Sequence, residues 1–139
     1  MKKLFLGLII TLGLLSCSKN EAYDEVPETI IMFITHYWPN PIIETYSHPT
    51  ENRYEIIVKN GPTLDFDGDY SWTDIDGNGM PLPEVLLFNE LPQKLYDYLE
   101  GGEYLNQVFE MERDSNGYKV TLLNVDVSYD IKSEVIRED

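Results

Sequence analysis

Tyr54-Glu55-Ile56-Ile57-Val58-Lys59-Asn60-Gly61 has a counterpart 64 residues on, where Tyr118-Lys119-Val120-Thr121-Leu122 repeats its alternation. In both stretches apolar residues alternate with more polar ones, which is the period of a half-buried strand. The correspondence extends outward from there. At an offset of 65, Val26, Pro27, Ile30, Phe33 and Ile34 fall on Leu91, Pro92, Leu95, Tyr98 and Leu99. Each set reads as one face of a helix that opens on proline, tolerated in a first turn because its missing N–H has no partner there. At an offset of 63, Leu64, Phe66 and Asp67 fall on Val127, Tyr129 and Asp130, and Trp72 falls on Val135. The drift corresponds to two single-residue deletions in loops, and so long a period marks a duplicated supersecondary unit.

Turn chemistry predicts how the strands connect. Asn60-Gly61, Asp67-Gly68 and Asn116-Gly117 supply the positive-φ residues that tight antiparallel turns need. The first unit then reads as a helix followed by strands near Ile42–Tyr46, Arg53–Lys59, Thr63–Phe66 and Ser71–Ile75. The second reads as a helix followed by strands near Gln107–Arg113, Gly117–Leu123, Val125–Tyr129 and Ser133–Ile136. Met80-Pro81-Leu82-Pro83 breaks the chain between them, Glu84 to Phe88 reads as an extra helical turn, and Gly101-Gly102 predicts a left-handed cap. The expected class is α+β, a two-layer domain made by tandem duplication of a helix plus a four-stranded antiparallel unit. One domain over 26–137 is expected, with repeats at about 26–79 and 84–137.

Tyr37-Trp38-Pro39 after the first helix, Tyr54-Glu55-Ile56 with Asn60-Gly61, and Phe66-Asp67 followed by Trp72 carry a specific resemblance. The chain resembles the PepSY-like, β-lactamase-inhibitor-protein-like (BLIP-like) family of small secreted proteins from Bacteroides and relatives, over roughly Glu25 to Arg137. That resemblance implies a tandem α+β duplication and no enzyme activity, and the PepSY relation implies restraint of a peptidase. The second repeat departs from the pattern: Gly101-Gly102-Glu103-Tyr104 replaces the aromatic-proline step, and no tryptophan follows Asp130.

The N-terminus predicts an address. Lys2 and Lys3 precede an apolar run from Leu4 to Leu15, the layout of a secretory signal over residues 1–16. The run is too short to cross a bilayer, which takes ~20 apolar residues. Cys17, the one cysteine of the chain, follows Leu14-Leu15-Ser16 and resembles the lipidated residue of a bacterial lipoprotein. Residues 17–25 form an acidic tether, so the domain is expected on the cell envelope, lipid-anchored to the outer membrane at its periplasmic face or at the cell surface. Loss of residues 1–16 removes two of the 10 basic residues and none of the 25 acids, leaving a formal charge of −17. Such a surface repels phosphate backbones and anionic head groups, which argues against nucleic acid as a partner. With no second cysteine there is no disulfide, and the lipid removes the thiol as nucleophile or ligand.

Asp74-Ile75-Asp76-Gly77-Asn78-Gly79 reproduces the first half of a calcium loop, with oxygen ligands at alternate positions before a glycine bend. The second half departs: the twelfth position is Val85, Glu84 comes one early, and Pro81 and Pro83 stiffen the segment. A calcium site would draw on Asp74, Asp76, Asn78 and Glu84; a polar loop leaving a strand is the simpler reading. Asp65 and Asp67 fall on the solvent face of their strand, opposite Leu64 and Phe66. His36 closes a helix, where the dipole favours a cation, and His48 precedes Pro49 in a turn-like stretch. No histidine, cysteine or hydroxyl stands in a catalytic or metal-ligand spacing. Ten tyrosines suit a recognition surface as well as a core, because they bury rigid area and keep a polar tip. Tyr54, Trp72, Tyr118 and Tyr129 are expected inside, and Tyr46, Tyr70 and Tyr104, beside turns, form the expected binding surface. The function so predicted is a non-enzymatic, envelope-anchored module binding or inhibiting a protein or peptide. The alternative is a calcium-binding or structural envelope lipoprotein.

Overall fold

Strand alternation and proline-initiated helices account for nearly every element of the computed structural model, which describes residues 21–139. The expected signal segment, Cys17 and the start of the expected tether lie outside the described residues. The described residues open on a short helix, α1 (Glu21–Glu25), where the rest of the tether is expected, followed by α2 (Glu28–Tyr37). Four strands come next: β1 (Ile43–Thr50), β2 (Arg53–Val58), β3 (Thr63–Phe66) and β4 (Trp72–Asp76). Two helices, α3 (Glu84–Glu90) and α4 (Gln93–Gly101), and a 3-10 turn at Leu105–Gln107 lead into β5 (Glu110–Arg113), β6 (Gly117–Thr121), β7 (Asp126–Asp130) and β8 (Ile136–Glu138). Pro27, Pro83 and Pro92 immediately precede α2, α3 and α4.

All eight strands form one antiparallel sheet in chain order, so the fold is α+β. The two groups of four join where β4 pairs with β5, across the helices between them. Register places Ile56, Leu64, Ile75, Met111, Val120 and Val127 side by side across six strands. All six are fully buried. They share one core with the buried faces of the helices, among them Ile30 and Ile34 of α2, Leu86 and Leu87 of α3, and Leu95 and Leu99 of α4. Removing this much apolar surface from water is the main stabilising term. Among the described residues no helix is long and apolar enough to cross a membrane.

Several local expectations are corrected. The strand expected at Ser133–Ile136 begins only at Ile136, because Asp130 Oδ1 accepts the Ser133 N–H at 2.7 Å and holds a turn. Val135 is accordingly 44% exposed while its repeat partner Trp72 is 1% exposed. The strand expected from Gln107 starts at Glu110, after the 3-10 turn. His48 lies inside β1 rather than in a turn, since a proline at 49 is tolerated on an edge strand. Its ring stacks on Tyr54 at 3.9 Å.

Positive φ also falls on other residues than expected. Asn60 adopts it as predicted (φ 56°), but in the next hairpin Tyr70 does (φ 65°), and neither Asn116 nor Gly117 does. Gly102 has φ −88°, and Glu103 takes the left-handed conformation (φ 61°). Gly102 is required for space instead: a Cβ there would lie 2.6 Å from the Tyr104 ring.

Candidate functional site

The sheet presents its other face away from the core, and the period of two that buries Met111 and Ile75 sends their neighbours there. One row pairs Glu55, Asp65, Asp74 and Glu112 on β2 to β5 and continues through Lys119, Ser128 and Arg137 on β6 to β8. The adjoining row pairs Thr63, Asp76, Glu110, Thr121 and Asp126. None of these side chains is fully buried. A groove of about 680 Å³ crosses this face, bounded by Asp65, Asp74 and Glu112 at one end and by Lys119, Ser128 and Arg137 at the other.

Charge on this face is unevenly compensated. Arg53 pairs with Glu55 at 3.0 Å and with Asp65 at 3.5 Å, and Lys119 pairs with Asp126 at 3.6 Å. Among the described residues these are the ion pairs, and none reaches Asp74, Asp76, Glu110 or Glu112. Carboxylate oxygens of Asp74, Glu110 and Glu112 lie within 4.8 Å of one another. One oxygen each of Asp65 and Asp74 is shielded from solvent with no hydrogen-bond partner.

Burial pushes the Glu110 carboxyl up to about 8, helped by its hydrogen bond to Asp74 and by the neighbouring negative charges. Burial also raises Asp74, where the bond to Glu110 works the other way and the charges of Glu112, Asp65 and Asp76 add to the rise. Asp74 and Glu110 therefore titrate as an interacting pair in which full ionisation of both is disfavoured. Asp65 is raised as well, by burial first, with Arg53 opposing.

The structure separates the residues singled out in the sequence into three places. Asp74 and Asp76 lie on one face of β4 and meet Glu112 and Glu110 of β5 across the strand pair. Asn78 has φ 54° and donates its side-chain amide to Gly61 O at 2.9 Å and Thr63 Oγ1 at 3.0 Å, while its N–H bonds to Asp76 Oδ1 at 2.8 Å. Its side chain thus ties the loop to the β2–β3 turn. Glu84 opens α3, beyond Pro81 and Pro83, and is exposed.

Tyr46 pairs with Ile56 and so faces the core side, half-buried. Tyr70 packs at 5.3 Å on Tyr54, close to Tyr46. Tyr104 packs instead against Tyr98 of α4, at 6.5 Å. Trp72 and Tyr129 are buried, and Tyr54 and Tyr118 are half-buried against the core.

Sequence reasoning missed Glu110, Glu112, Lys119 and Arg137 as members of one surface. Glu110 and Glu112 flank Met111 at period two, which predicts a polar face, but only the β4–β5 register brings them beside Asp74 and Asp76.

Residues 52–137 match the family model described as "Putative beta-lactamase-inhibitor-like, PepSY-like". Comparison with curated proteins returns no match. Among solved structures, the fold is similar to a "putative calcium-regulated periplasmic protein" from Bacteroides thetaiotaomicron, with TM-score 0.67 and 23% identity over 84% of this chain and 91% of that one. It is also similar to a "putative periplasmic protein" of the DUF2874 family from Bacteroides vulgatus, with TM-score 0.68 and 22% identity over 84% and 91% of the two chains. A second Bacteroides vulgatus periplasmic protein, described as of unknown function, has TM-score 0.67 and 19% identity over 84% and 93%. The family match covers more than half of the chain and takes in β2 to β7 whole and β8 up to Arg137, and on that match the chain belongs to the PepSY-like, beta-lactamase-inhibitor-like family.

Proposed function

We propose that this protein is a non-enzymatic cell-envelope module that binds a protein or peptide through the face of its sheet opposite the helices. One observation carries the reading: that face is grooved from β3 to β8, lined mostly by polar side chains and unused by the core. A binder is favoured over a hydrolase by the inhibitor-like description of the matching family; the histidines lie elsewhere, His36 at the end of α2 and His48 stacked on Tyr54, and the paired carboxyls of Asp74 and Glu110 are the groups on this face able to move a proton. Tyr46, Tyr70 and Tyr104 lie on the helix side of the sheet and do not line this groove. The order of two helices before each group of four strands supports a two-layer tandem duplication as its origin. A lipid on Cys17 would keep the domain near a membrane, since residues 18–26 extend to at most ~32 Å. The periplasmic descriptions of the structural neighbours agree with an envelope location, and restraint of a peptidase is one role such a binder would fill. Photo-crosslinkers placed at Ser128 and, separately, at exposed Glu28 on α2 test the reading in intact cells. The expected result is a discrete adduct from Ser128 only; adducts only from Glu28, or none from either, would overturn it.

A second reading, a calcium-dependent envelope protein, is favoured by the convergence of Asp74, Glu110 and Glu112 within 4.8 Å. The description of one structural neighbour as calcium-regulated supports it. Asp76, Asn78 and Glu84 are the further candidates from the loop. A ligand held only by the folded state raises the melting temperature. Calcium that shifts the melting of the wild type but not of Asp74→Asn would establish this reading, and no shift at millimolar calcium would remove it.

A further inference from the structure

Resting on the proposed use of the sheet face, we infer that the groove takes an extended segment of a partner protein bearing opposite charges: a lysine or arginine over Asp74 and Glu112, and a glutamate or aspartate over Lys119 and Arg137. The register carries the argument, since a single row of directly paired residues changes sign between β5 and β6.

Asp114 and Asp130, near the basic end, keep their charge but use one carboxylate oxygen each in local turns, and Asp126 is paired. Asp114 Oδ1 accepts the N–H groups of Asn116 and Gly117 at 2.8 and 3.0 Å. Asp130 Oδ1 accepts the N–H and hydroxyl of Ser133 at 2.7 and 3.0 Å. Asp126 is held by Lys119 at 3.6 Å, a solvent-exposed pair of the kind that exchanges readily. Arg137 is exposed and forms no ion pair among the described residues. At the other end Asp74 and Glu112 have no basic partner. Arg137 at one end and Asp74 and Glu112 at the other are therefore open to complementary charges, with Lys119 available by exchange from Asp126, and charge complementarity fixes orientation and excludes wrong partners.

Geometry limits the spacing. Neighbouring strands lie ~4.8 Å apart, so the centres of the two charged ends are ~12 Å apart across the sheet. An extended segment advances ~3.3 Å per residue, which places its opposite charges about three to six positions apart.

Three labelled peptides of equal length test the inference by fluorescence anisotropy: Lys-Lys and Glu-Glu separated by two neutral residues, an all-lysine version and an all-glutamate version. The bipolar peptide should bind wild type about threefold tighter than the all-lysine one and about tenfold tighter than the all-glutamate one, with the preference weakened at high salt. Lys119→Glu with Arg137→Glu, both exposed and checked for an unchanged melting temperature, should reverse the order in favour of all-lysine. Equal affinity of wild type for the bipolar and all-lysine peptides, or no binding of any, overturns the inference. So does a concentration-dependent dimer that the double variant abolishes, since the occupant is then a second copy of the chain. A Ser128 crosslink that persists unchanged in the double variant sinks the charge pattern and leaves the binding face standing; loss of the crosslink from wild type sinks both.

Discussion

Trp72 donates its indole N–H to Glu90 at 3.0 Å, which ties β4 to the last turn of α3. The other Glu90 oxygen accepts the hydroxyl of Tyr37 from α2 at 2.8 Å, so one carboxylate joins three elements at the edge of the core. Trp72 is 1% exposed and Tyr37 8%, which leaves little room for water to replace the carboxylate. Glu90→Leu strands two donors and should cost about 1–3 kcal/mol, whereas Glu90→Gln keeps an acceptor and should cost less. Urea unfolding followed by tryptophan fluorescence measures both, and equal losses in the two variants would refute the assignment.

Glu110 makes stability fall as pH rises. Its carboxyl is raised from 4.5 to about 8 by burial and by Asp74, so between those values the folded chain holds a proton that the unfolded chain has released. Stability from this group is present below the unfolded value and is lost as pH climbs towards 8. Glu110→Gln removes the charge and should flatten that slope. Because Glu110 is only half-buried, the gain at pH 8 should be about 1 kcal/mol, well short of full linkage. Melting temperatures of both proteins from pH 5 to 8 decide it, and parallel curves would show that Glu110 is ordinary.

Tyr70 occupies a conformation that suits glycine, with φ 65°. Left-handed backbone costs an L-residue with a Cβ about 1 kcal/mol, and Tyr70 offsets it by packing on Tyr54. Tyr70→Ala keeps the strain and loses the ring, while Tyr70→Gly loses both. Glycine should therefore be the more stable variant by about 1 kcal/mol in urea unfolding. The reverse order would mean that the turn relaxes around alanine.

The elements that depend on local pattern were legible in the sequence. Ile56, Leu64 and Val120 announce their strands by alternation, and Pro27 and Pro92 mark helix starts one residue early. The face that carries the candidate site was not legible, for a physical reason. Asp74 meets Glu112 only through the pairing of β4 with β5, and the intervening chain passes through two helices and a 3-10 turn. Nothing in local propensity specifies that register. Edge position hid the strand character of His48 and Pro49, and the room taken by the Tyr104 ring, rather than dihedral need, favours glycine at 102.

Gly117 shows the same rule at the groove itself. It pairs with Asp130 where β6 leaves its turn, and a Cβ built on it would lie 2.1 Å from the carbonyl oxygen of Tyr129. That neighbour is backbone and cannot swing aside, so an added methyl must push β6 away from β7. Tyr118 faces Tyr129 and Lys119 faces Ser128 in the next two pairs, so the damage would spread into the core-side aromatic contact and the basic end of the groove together. Gly117→Ala should destabilise the fold by at least ~2 kcal/mol, in the range of other backbone clashes. Amide exchange should accelerate first in β6 and β7 while β2 and β3 stay protected, because local opening follows the weakened pairing. An alanine variant with wild-type stability and uniform protection would show that the strands can part at no cost.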